Sequence, residues 1–145
     1  MSNVVFNVAK GRLAYYASLP LANDALIAVP IQATGIVSDA TMIDYATLAA
    51  LLAGGSTEQT TMGRKTLSGV TVTVNNTSDR VEVDCADVTW TAASGSAVAA
   101  FVIAYDPDTG TSTDSTRIPL VKADVTLTPD GSDFTLTIAD FYRAS

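Results

Sequence analysis

One stretch, residues 79–106, DRVEVDCADVTWTAASGSAVAAFVIAYD, constrains the fold more than any other. Val81, Val83 and Cys85 alternate with Arg80, Glu82 and Asp84. Successive side chains of a strand point to opposite faces, so this is the pattern of a strand with one buried and one wet face. The alternation resumes at Val88, Trp90 and Ala92, but the apolar positions are now even where they had been odd. A slip of one residue moves every side chain to the other face, so no uninterrupted strand can carry both halves. A bulge or tight corner is predicted at Ala86-Asp87. After Ser94-Gly95-Ser96, the run from Ala97 to Tyr105 is apolar throughout, as expected of a strand covered on both faces. With the only tryptophan among them, these strands are the predicted core.

The flanking sequence repeats the β pattern. Val70, Val72 and Val74 alternate with Thr71 and Thr73 before the turn residues Asn75-Asn76-Thr77-Ser78-Asp79. Short strands are expected at Ile118–Val121, at Val125–Leu127 and, beyond Pro129-Asp130-Gly131, at Phe134–Ile138. Ala25–Gln32 is a further strand whose Pro30 cannot donate to a ladder, so an edge position or an early end is expected. Leu13, Tyr16 and Leu19 have the spacing of about two helical turns, an extended arm fits the same residues, and Pro20 ends either one. Residues 39–53 form the clearest helix: Ser38 or Asp39 can cap it, Ile43, Leu48, Leu51 and Leu52 give an apolar side, and Gly54-Gly55 ends it. The polar segment from Ser56 to Lys65 has little to bury and is expected as a surface loop, or as one ordered by a partner. The fold class that follows is mainly β with a minor α component: an antiparallel β-sandwich or open β-barrel with one inserted helix. Residues 1–145 form a single domain in this reading, with 1–20 as an N-terminal arm.

Composition narrows function chiefly by exclusion. Eight Lys+Arg against fifteen Asp+Glu leave a net charge of −7, without the basic footprint that phosphate neutralisation requires, so no nucleic-acid partner is expected. No apolar run approaches the ~20 residues of a membrane helix, and the first residues lack a signal-peptide pattern, so a soluble chain without a membrane partner is expected. With no histidine, Ser-His-Asp, Cys-His and His-ligated metal sites are excluded. Cys85, the single cysteine, falls at an inward position and is read as a small core hydrophobe.

Motif by motif, bland readings prevail. Asp106-Pro107-Asp108-Thr109-Gly110 with Asp114 resembles the opening of a calcium loop, but glycine is fifth instead of sixth and the twelfth residue is Arg117, so a turn with solvated carboxylates is the better reading. Glu82, Asp84 and Asp87 are ordinary surface charges, not a general acid-base pair. Gly54-Gly55 and Gly63-Arg64-Lys65 lack the context of a phosphate loop. Tyr15, Tyr16 and Trp90 could form a carbohydrate-binding face of a ligand-binding β-sandwich, although packing explains the same residues. No cofactor, metal site or catalytic residue is assigned, and the inventory is that of a scaffold.

The blocks NVAKGRLAYYASLP, DYATLAALLA, RKTLSGVTVTVNNTSDRVEVDCADVTWTAASG, VIAYDPDTGTSTDSTRIPLV and TLTPDGSDFTLTIADFYRAS resemble, in this order, small virion structural proteins of tailed bacteriophages infecting actinobacteria. The resemblance implies a non-enzymatic capsid decoration or minor capsid protein, made in the host cytoplasm and placed on the capsid exterior. Its implied partners are the major capsid protein and copies of itself, a trimer suiting local threefold positions. A neck or tail protein is the structural alternative. Exposed aromatic and arginine residues commonly anchor interfaces. The candidate contacts are accordingly Val4, Val5, Phe6, Lys10 and Arg12 in the arm, Arg64 and Lys65 in the polar segment, and Phe141, Tyr142 and Arg143 at the C-terminal end.

Overall fold

Why the central stretch changes parity is answered by where its two halves go. In the computed structural model, which describes residues 3–144, β5 (Arg80–Asp84) lies between β4 (Thr71–Asn75) and β10 (Tyr142–Ala144) in a three-stranded sheet. Four residues later the chain enters β6 (Val88–Trp90), which pairs only with β9 (Phe134–Leu136) in a separate two-stranded sheet. The predicted corner is therefore a strand changing sheets. Side-chain carboxylates hold it: Cys85 N and Asp140 N donate to Asp84 Oδ1 at 2.8 and 3.1 Å, and Ile138 N donates to Asp87 Oδ1 at 2.7 Å. Val83, Cys85 and Trp90 nevertheless all enter one core, because the corner re-aims the second half inward.

That core packs on a five-stranded antiparallel sheet in the order β1 (Val4–Val5), β8 (Ile118–Leu127), β7 (Val98–Asp106), β2 (Ala25–Gln32), β3 (Lys65–Thr66). The architecture is a mainly β, sandwich-like α+β fold whose antiparallel sheets do not close. Both faces of the large sheet are covered, and alternation sorts the residues. Leu26, Ala28, Phe101, Ile103 and Tyr105 face the smaller sheets and α1 (Leu13–Ala17), whereas Ile27, Val29, Ile31, Val102 and Ala104 face Met42, Leu48 and Leu51 of the later helices. This double coverage is why β2 and β7 read as continuous apolar runs. Pro30 is accommodated on the side of β2 away from β7, where its carbonyl accepts from Gln59 N at 2.9 Å. The expected strands Ile118–Val121 and Val125–Leu127 are one ten-residue strand, with a register shift near Leu120 that absorbs Pro119.

Three expectations are corrected. The helix expected over 39–53 is two short ones, α2 (Asp39–Met42) and α3 (Leu48–Ala53). Ser38 caps the first as predicted, its Oγ accepting from Thr41 N, but Thr47 is extended and caps the second, its Oγ1 accepting from Ala50 N at 3.2 Å. The first amides of α3 then donate to the loop after β7: Leu48 N to Arg117 O and Ala49 N to Asp114 O, both at 2.9 Å. A tertiary partner for those amides takes the place of the intrahelical continuation.

The N-terminal segment is no arm. Val4 and Val5 pair with Lys122 and Val121, Phe6 is completely buried beside Met42 and Leu48, and Ala9, Leu13, Tyr16 and Ala17 are core residues. The part of the arm at residues 1 and 2 lies outside the described residues. The segment from Ser56 to Lys65 is likewise not a loose loop. Gln32 N donates to Thr57 O at 2.8 Å along the edge of β2, and Ser56 and Gln59 are fully buried. Gln59 Nε2 donates to Ser94 O and Ser96 O, while its Oε1 accepts from Met62 N, so a polar side chain anchors a segment that has few apolar ones.

Candidate functional site: the partner-facing surface

Charged residues of this chain fall into two groups, those that brace the fold and those left at the surface. The largest brace runs from the polar segment to the loop after β7. Arg64 donates to both carboxylate oxygens of Glu58 at 2.8 and 2.6 Å and to both of Asp114 at 2.6 and 2.9 Å. Arg117 continues the chain, reaching Asp114 Oδ1 at 2.9 Å and the buried Asp106 Oδ2 at 2.8 Å. Bidentate guanidinium–carboxylate pairs are the stronger kind of charge-assisted hydrogen bond. Those with Asp114, then Glu58, hold the Arg64 pKa up against burial, and the Arg64 bond holds the Asp114 carboxyl below its ordinary range.

Asp114 is depressed in the folded chain relative to an unfolded value of about 3.9, so its contribution is complete above that value and lost as pH falls through the folded one. Arg64→Ala is expected to cost about 1–3 kcal/mol near neutral pH. Its deficit relative to the parent chain should shrink below about pH 4, read as urea midpoints across an acid series. A constant deficit would show that the brace does not respond to Asp114.

The same geometry accounts for the residues that resemble a calcium loop. Asp106 Oδ1 accepts from Asp108 N at 3.2 Å, and Asp108 accepts from Gly110 N at 2.9 Å and Thr111 Oγ1 at 2.8 Å. These bonds are those of an aspartate-nucleated turn. Among the described residues no cluster of His, Cys, Asp and Glu is arranged to hold a metal.

A second brace was not anticipated from the sequence. Lys122 has no exposed surface at all, and its Nζ lies 2.5 Å from Asp39 Oδ1 and 2.7 Å from Asp124 Oδ1. It stands opposite Val102 on the helix-facing side of the sheet, tying β8 to the first turn of α2. Its sequence neighbours Leu120, Val121 and Ala123 are apolar, but they do not by themselves mark the lysine as inward.

Two of the three aromatic candidates for a sugar platform are withdrawn into the core. Trp90 is buried against Phe101 at a centroid distance of 4.8 Å, with its indole N–H donating to Gly63 O at 2.9 Å. Tyr16 packs on Tyr105 at 4.9 Å, leaving Tyr15 as the exposed member of the three. Cys85 is buried as expected, and its thiol pKa is pushed up to about 11 by burial and then by Asp84 and Asp87. It should react with a disulfide reagent only as fast as the chain unfolds, and full labelling of the native protein within minutes would contradict its placement.

The candidate contacts are dispersed. Phe6 is withdrawn into the core and cannot present its side chain, while Val4 and Val5 are half-buried in an edge strand. Lys10 and Arg12 are exposed on the turn before α1, with Lys10 Nζ donating to Asn7 Oδ1 at 2.7 Å. Arg64 is committed to the brace, and Lys65 is half-buried in β3 opposite Ala28. Phe141 and Tyr142 pack partly against the main core, so the aromatic C-terminal end docks on its own chain, and exposed Arg143 pairs with Asp140 at 2.8 Å. Sequence reasoning missed the most exposed apolar strand: Val72 and Val74 of β4 are 38% and 66% exposed. Among the described residues no helix is long and apolar enough to cross a membrane. The chain matches no protein-family model, no curated protein and no solved structure.

Proposed function

We propose that this chain is a structural protein of a bacteriophage virion, a capsid decoration protein that binds the lattice of the major capsid protein on the outside of the head. One observation carries the reading beyond the sequence resemblance. Internal charged groups are engaged with one another as braces, while the groups left exposed include strand edges, Tyr15, Leu21 and the cations Lys10 and Arg12, beside the acidic Asp44, Asp79, Asp87 and Asp133. Such an inventory suits adhesion, with rigidity supplied by the doubly covered sheet and contact supplied at the periphery.

The structure redirects the choice of test residues. Deleting residues 1–12 would remove Phe6 and Ala9 from the core, so loss of attachment would be ambiguous. The double charge reversal Lys10→Glu/Arg12→Glu changes exposed groups and leaves the core intact. Density for the protein on purified heads lacking tails supports decoration, and its presence only on necks or tails overturns it. On heads, the charge reversal should weaken attachment and flatten its salt dependence, as expected when rim charges steer association.

A further inference from the structure

Among the described residues β4 is an edge strand approached by α1 but left largely exposed. Its five residues, Thr71-Val72-Thr73-Val74-Asn75, contain no charge and no proline, and its register with β5 has no bulge. Natural edges are commonly blunted by charge, shortness, proline or a covering element. The other edges here follow that rule: β1 and β3 are two residues long, β6 and β9 three, and β10 carries Arg143. Nearly all of β4 is exposed, although Val72 and Val74 lie on the face that carries the buried Val83. The inner face of the three-stranded sheet therefore overhangs the core, and a shallow groove lined by Val74, Val81 and Ala144 together with Asn76, Asp79 and Arg80 lies at that end.

We propose that β4 pairs antiparallel with β4 of a second copy, about a two-fold axis through Thr73, joining two three-stranded sheets into one of six. The strand is self-complementary in that register. Thr73 meets Thr73, Thr71 meets Asn75, and Val72 meets Val74 in both symmetry-related rows. Each inner row then reads Val81, Val74, then Val72 and Val83 of the second copy, so the exposed valines continue the row that is buried in the monomer. A two-fold contact requires the same patch on both partners, and a strand with this near-palindrome supplies it.

Charge favours the same occupant. The chain carries −7, so most of its surface repels another copy. The outer face of this small sheet is locally balanced, with Arg80 and Arg143 against Glu82 and Asp84. The two Glu82 side chains would stand three strand spacings apart, about 14 Å, beyond the screening length of about 8 Å at physiological salt. Five residues a side make a contact below the ~1,200 Å² of stable interfaces, so the pairing is of transient strength in solution. The inference concerns the isolated chain and stands independently of the virion reading.

Two variants test it, each on the full chain. Sedimentation of the parent protein should show an average mass rising from 15.0 kDa toward twice that value as concentration increases to about 1 mM. Val74→Lys should remain monomeric with an unchanged circular dichroism spectrum and unfolding midpoint. Thr73→Cys places two thiols at directly opposed positions, where Cα separations of about 4.5–5.5 Å suit a disulfide. Under mild oxidation it should form a covalent dimer at least about ten times faster than Ser78→Cys on the adjacent exposed loop, a factor worth about 1.4 kcal/mol. Equal cross-linking rates, or a parent chain monomeric throughout, would overturn the proposal and leave this edge to a strand of a different protein. Open-ended oligomers in place of a dimer would overturn the two-fold register.

Discussion

Replacing Lys122 with methionine is expected to lower the unfolding free energy by about 3–5 kcal/mol, a large share of what a domain of this size possesses. The length of the two side chains is similar, so little volume is lost. What changes is the charge balance of a mostly buried site: the ammonium is gone while Asp39 and Asp124, three-quarters buried, remain. Both oxygens of Asp124 are inaccessible and depend on Lys122 for their compensating charge. The control is Lys122→Met/Asp124→Asn, which removes one uncompensated carboxylate and should recover part of the loss, since the cost arises from breaking the pair and not from lacking it. Urea unfolding followed by far-ultraviolet circular dichroism measures both. A single-variant loss under about 1 kcal/mol would mean that water reaches the site and that the pair behaves as a surface bridge.

Trp90→Ala should be of comparable size, about 3–5 kcal/mol, for a different reason. The indole is 2% exposed and packs between the large sheet and the two-stranded one, 4.8 Å from Phe101 and 6.1 Å from Phe134. Truncation leaves a cavity that neither ring can close without moving its strand, and it orphans Gly63 O, which accepts the indole N–H at 2.9 Å. Trp90→Phe keeps most of the volume and loses the hydrogen bond, so it should cost roughly 1–2 kcal/mol more than a volume-conserving swap elsewhere in the core. Because Trp90 is the only tryptophan, unfolding of both variants has to be followed by circular dichroism. Near-equal stabilities of Trp90→Ala and Trp90→Phe would mean that aromatic packing there contributes little.

These two sites differ in how far they could be read in advance. Trp90 was legible because it sits in an alternating pattern whose partners, Val88 and Ala92, share its parity. Lys122 was not. A lysine in a strand reads as solvent-facing, and only the position of Asp39, 83 residues earlier in the chain, makes its burial tolerable. The partner surface shows the same division. Lys10 and Arg12 were picked out as contacts of an N-terminal arm and are exposed, but Arg64, picked out as a contact in the polar segment, belongs to an internal brace. Phe6 was chosen as an arm residue and is completely enclosed. A residue type states what a side chain can do, and burial then decides whether a partner can reach it.

Local pattern by itself determined the mainly β antiparallel character, the two-faced burial of β7 and the corner at Ala86-Asp87. These follow from periodicity, which a strand or helix must obey wherever it lies in the fold. Tertiary structure alone decided three other things. It divided the 39–53 helix at Thr47, because loop carbonyls near Arg117 offered the amides of α3 a partner. It anchored the Ser56–Lys65 segment through Gln59 and Arg64, because hydrogen-bond partners distant in sequence offset the cost of burying polar groups. And it left β4 uncovered, although its alternating valines match those of the buried strands. Periodicity reports which face a residue occupies, and only the packing of distant segments determines whether that face is covered.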